Sequence, residues 1–113
     1  MSFPLYHSLN KDIPKKDLSK VEKEDLIKKI HNIDISGKNL IYALIKFYFI
    51  ETASDNNESL PYGGIKEQVD ESNTNVTWSL LDLPITLRHI LYKFVIMHIK
   101  KMEEEKHRSH ISL

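Results

Sequence analysis

Residues Trp78 to Met102, W-S-L-L-D-L-P-I-T-L-R-H-I-L-Y-K-F-V-I-M-H-I-K-K-M, decide the fold. They open as a β-type segment, turn at Asp82-Leu83-Pro84, and continue as the longest helical pattern in the chain. Leu87, Ile90, Leu91, Phe94, Val95 and Met102 recur at helical spacing and form a wide apolar stripe. Pro84 suits the first helical turn, where a missing N–H costs nothing. Asp82 stands just ahead, where a carboxylate can cap orphan amides and its charge suits the positive end of the helix. The pattern predicts a helix over about 84–105, fed directly by a strand and covered by the upstream chain.

Upstream, Ser19-Lys20-Val21-Glu22 fits a capping box. Val21, Leu26, Ile27, Ile30 and Ile33 then mark one face opposite Lys23, Glu24, Lys28 and Lys29, so a helix is expected over 19–32. Asp34-Ile35-Ser36-Gly37 is a turn signal, with Ser36 or Asn39 available to start the next helix. Leu40, Ile41, Leu44, Ile45, Phe47, Tyr48 and Phe49 make that helix apolar nearly all round, which calls for a central position. The run from Leu40 to Ile50 is too short to span a bilayer, which takes about 20 residues. Asn75 to Ser79 alternates, with Val76 and Trp78 on one side and Asn75, Thr77 and Ser79 on the other. Pairing with Ile65–Val69 would make it a hairpin. The expected fold is mainly α: three helices with a short strand or β-hairpin between the second and third. One domain is expected over 19–105, between a flexible or contact-ordered arm (1–18) and a flexible tail (106–113). Phe3, Leu5 and Tyr6 are the arm's candidates for packing.

Sixteen Lys and Arg residues balance sixteen Asp and Glu, which argues against a protein built to grip nucleic acid. The chain has no cysteine, which excludes disulfides, thiol catalysis and cysteine-based zinc sites and fits an intracellular compartment. The opening M-S-F-P-L-Y-H-S-L-N does not read as a signal peptide. His107 and His110 share a spacing but sit in a charged tail. His98 lies on or beside the apolar stripe and reads as a hydrogen-bonded boundary histidine. His31 and His89 have no partner at ligand spacing, so neither metal nor cofactor is expected. Glu22, Glu24 and Asp25 complement a helix dipole. No nucleophile elbow or phosphate loop is present, and the chain does not read as an enzyme. A strand isolated in a helical protein leaves an edge that a visiting strand can pair with. The acidic residues Asp55, Glu58, Glu67, Asp70 and Glu71 flank it, suggesting a groove for a basic-hydrophobic peptide.

Three stretches resemble the NET, or extraterminal, domain of BET bromodomain proteins. Ser19-x-x-Glu22-Lys23-x-x-Leu26-x-x-x-Ile30-x-x-Ile33 is similar to that family's first helix, and Gly37-x-x-Leu40 to the start of its second. Leu83-Pro84-Ile85-Thr86-Leu87-Arg88 resembles the element opening its third, after a strand ending in an aromatic residue. The likeness covers about 19–102 outside the loop. It implies capture of short peptides from transcription or chromatin proteins by strand addition; from the charge balance and the short apolar run, no direct nucleic-acid or membrane contact is expected. Carried over by position, Val76 and Trp78 would face the peptide pocket, walled by Leu40, Leu44, Leu87 and Leu91. The family's outward acidic strand residues are replaced here by Asn75, Thr77 and Ser79, which leaves Asp70, Glu71 and Asp82 as the lysine-selecting candidates. The loop 51–74 is also longer than the family's, and Ile65–Val69 is placed to occupy one strand edge. Stand-alone chains of this kind resemble ones encoded by large DNA viruses, implying the nucleus or a viral replication compartment. The alternative is a structural helical protein that forms a homodimer through its third long helix, Ile96 and Ile99 included.

Overall fold

The computed structural model describes residues 3–52, 60–71 and 74–109, with side chains described as far as Lys106. The chain is mainly helical: α1 (Pro4–Leu9), α2 (Lys20–Asn32), α3 (Ile35–Thr52) and α4 (Ile85–Ser109). A two-stranded antiparallel sheet, β1 (Ile65–Gln68) and β2 (Thr74–Thr77), lies between α3 and α4. Single 3-10 turns at Pro61–Gly63 and Leu80–Asp82 precede β1 and α4. The loop acids Asp55 and Glu58, and the tail histidines His107 and His110, fall outside the described side chains.

The organising element is α4, against which α1, α2 and α3 all pack. Its inward stripe of Leu87, Ile90, Leu91, Phe94 and Val95 is fully buried. α2 starts at the expected cap: the Ser19 hydroxyl accepts from Glu22 N–H at 3.1 Å, while Glu22 Oε1 accepts from Ser19 N–H at 2.9 Å. Such a cap is worth about 1 kcal/mol. α3 starts differently from the expectation of Ser36 or Asn39. Asp34 precedes it, and its Oδ1 accepts from Gly37 N–H at 2.7 Å. α3 buries Ile41, Leu44, Ile45 and Phe47 but leaves Ile50 60% exposed, so it is covered on one side rather than all round.

Among the described residues there are four helices rather than three, because the expected arm carries one. Pro4 sits in the first turn of α1, and Tyr6, Leu9 and Leu18 are buried in the same core as α4. The rings of Phe3 and Tyr6 meet Phe47 at centroid distances of 5.2 and 4.7 Å. Lys93 Nζ donates to Leu9 and Lys11 carbonyls, and a His89 ring nitrogen bonds the Lys16 carbonyl, so α4 straps the segment down. A six-residue helix is too short to display the repeat that reveals longer ones.

Candidate peptide-binding site

The expected hairpin forms, with Ile65 opposite Thr77, Lys66 opposite Val76, Glu67 opposite Asn75 and Gln68 opposite Thr74. Each strand therefore keeps one margin unpaired within the sheet. Asn75, Thr77 and Ser79 are exposed, as their alternation predicts, and Val76 is half-buried. Trp78, just past the strand, is half-buried but already engaged. Its indole N–H donates to the Pro61 carbonyl at 2.7 Å, and its ring lies 5.7 Å from that of Tyr42. Gly64 lies against the same ring, so close that an added Cβ would fall 2.5 Å from the indole nitrogen. The chain's own 60–64 turn thus closes over the side of Trp78 that was expected to face a ligand.

The helical walls also need correcting. Leu44, Leu87 and Leu91 are fully buried in the core, where a visiting side chain cannot reach them, and Leu40 alone is partly accessible. Helical spacing identifies an apolar face but cannot tell its core-facing centre from its groove-facing flank. Glu67, Asp70, Glu71 and Asp82 are all exposed, with Glu67 on β1 and Asp82 in the turn before α4.

The mount beneath the strand depends on Arg88, buried within the apolar stripe. It donates from Nε to the Leu83 carbonyl (2.9 Å), from Nη2 to the Leu81 carbonyl (2.8 Å) and from Nη1 to Asp17 Oδ2 (2.8 Å). Asp17 is held below the usual carboxylate range by its Lys23 partner first and by Arg88 next. The arginine therefore ties the turn linking β2 to α4 onto the N-terminal segment. From sequence, Arg88 entered only as part of the element that opens this helix and was given no role, although an arginine set between Leu87 and Ile90 signals a buried polar contact.

His98 is buried and bonded, in keeping with its reading from sequence. Its Nε2 lies 2.9 Å from Asp34 Oδ1, and its ring stacks on Phe94 at 5.2 Å. That bond, followed by the Gly37 amide, lowers the Asp34 carboxyl. Tyr92 donates to Asp25 at 2.8 Å, which with burial pushes the phenol up to about 12. Both contacts tie α4 to neighbouring segments of the helical body, so they serve the fold. Among the described residues, no three His, Asp or Glu side chains gather as a metal site, and no helix is long and apolar enough to cross a membrane. No protein-family model, no curated protein and no solved structure matches the chain.

Proposed function

We propose that the chain is a NET-like peptide-capture module. It would bind short basic-hydrophobic segments of transcription or chromatin proteins by main-chain pairing with β2, and it would catalyse nothing. The observation carrying this reading is β2 itself. It is a short exposed strand, mounted through Trp78, Leu80 and the Arg88-tied turn on a rigid helical core, with exposed acidic residues close in sequence. Main-chain bonds would set the direction of the bound segment, and Val76 with the accessible flank of Leu40 would supply apolar contact. Glu67, Asp70 and Glu71 would favour lysines on it. A nuclear or viral replication setting belongs to the same proposal.

Titration with a synthetic Lys-Val-Lys-Ile-Lys-Val peptide tests it by amide chemical shifts. The expected changes lie at residues 74–79, and Thr77→Pro, which removes a main-chain donor, abolishes them. Changes confined to α2 would overturn the assignment. A second reading rests on Ile96 and Met97, neighbouring apolar residues of α4 that are 47% and 42% exposed. It is a homodimer through α4, which light scattering across a concentration series reveals as a doubled mass.

A further inference from the structure

One margin of β2 is already filled, and the strand filling it is held by little except its main chain. None of the four β1 residues is buried, and Ile65 and Val69 are 67% and 59% exposed. β2 is anchored differently: Val76 is half-buried, Trp78 and Leu80 pack on the core, and the chain then runs straight into α4. An isolated two-stranded ribbon is marginal in water, so its persistence depends on how each strand is tethered.

On the β1 side the tether ends early. Pro61 is buried and bonded to Trp78, and the Tyr62 ring stands edge-on to Phe49 at 5.5 Å. Tyr62 has φ 55°, a left-handed conformation uncommon for an aromatic residue, so tertiary contacts and not local preference hold this turn. Gly63 (φ 67°) and Gly64 follow immediately, and β1 starts at the next residue. A fixed turn, two glycines and an unburied strand in succession make a segment that can peel away while the turn stays in place.

We infer that β1 is a resident strand that a visiting extended segment replaces, occupying in its stead the margin of β2 that β1 covers. This rests on the peptide-capture reading and specifies its ligand. The visitor is an extended basic-hydrophobic segment that takes β1's register and places a basic residue opposite Val76 as Lys66 does. The tethered strand competes at an effective concentration in the millimolar range, as short flexible linkers give. Binding to the native chain is accordingly masked.

The test uses the full chain and the Lys-Val-Lys-Ile-Lys-Val peptide as probe. The chain's lack of cysteine makes a cross-strand lock simple. Gln68→Cys with Thr74→Cys, which face each other across the sheet, is compared oxidised and reduced, alongside Ile65→Pro/Lys66→Pro, which unpairs β1. Far-UV circular dichroism confirms retained helix in each form. Amide shifts at 74–77 are expected to saturate at probe concentrations at least about tenfold lower in the proline variant than in the native chain. They are expected to vanish in the oxidised form and return on reduction. Equal responses from the oxidised and reduced forms would overturn the exchange while leaving peptide capture standing, since the visitor would then be using the opposite margin of β2. Silence at 74–77 in every form would overturn both.

Discussion

The helical body and the ribbon are held together in different ways. Around α4 the side chains carry the structure: Leu87, Ile90, Phe94 and Val95 are completely buried, and the polar groups among them, Arg88 and His98, are hydrogen-bonded. In β1 no side chain is buried, and the pairing with β2 is a matter of backbone bonds. Burial grows with every apolar contact, whereas a main-chain bond nets only about 1 kcal/mol against its replacement by water. The body is therefore committed to one arrangement by its side chains, whereas the ribbon rests on its backbone pairing, the property that the proposed strand capture would require.

Substitutions can break that contrast. Phe94→Ala is expected to cost about 3–5 kcal/mol in urea unfolding, while Ile65→Ser stays within about 0.5 kcal/mol. Comparable losses from the two would mean that β1 belongs to the core. Next comes Arg88→Leu, expected to cost about 1.5–3 kcal/mol through its charged hydrogen bonds. Added mobility in its amide relaxation should concentrate at residues 80–83.

Gly37→Ala follows, at about 1–3 kcal/mol, because the new methyl would meet the His98 ring at 2.8 Å. Combining it with His98→Ala should recover part of the loss, and a purely additive double mutant would refute steric conflict as the cause. A smaller effect is expected from Trp78→Phe, about 0.5–1.5 kcal/mol, which keeps an aromatic ring and deletes the bond to Pro61. Its informative readout is faster hydrogen exchange at 64–68 with the helices unchanged.

Acid sharpens the same contrast. Asp17, Glu22, Asp25 and Asp34 are all lowered, chiefly by Lys23, the Ser19 amide, Lys29 and His98 respectively. A depressed carboxyl contributes stability that is fully present above its unfolded value, about 3.9 for Asp and 4.3 for Glu. That contribution is lost as pH falls through the folded value. All four act in the helical body, so urea midpoints should drop below about pH 4, and Asp34→Asn should make the drop shallower. An unchanged slope in that variant would show that the Asp34–His98 bond carries no linkage.

Much of this contrast was legible in the sequence. Ser19 and Glu22 announced α2 through cap chemistry, the repeat from Leu87 to Val95 announced α4, and the alternation around Val76 announced the hairpin. These signals are local, because each follows from neighbours within a turn or a strand. What escaped depends on partners distant in the chain. Tyr6 finds Phe47, Arg88 finds Asp17, and the Trp78 indole finds Pro61. Leu44 and Leu91 share the residue type and spacing of groove-lining positions, and only packing from the other helices shows them to be interior.

α4 has a consequence of its own. Its 25 residues form a rod roughly 37 Å long at 1.5 Å per residue, and the Arg88-bound turn fastens the ribbon to one end of it. Cargo seated on β2 would thus ride at the head of a stiff mast. A label or fused domain at the far end would report the angle at which that cargo sits.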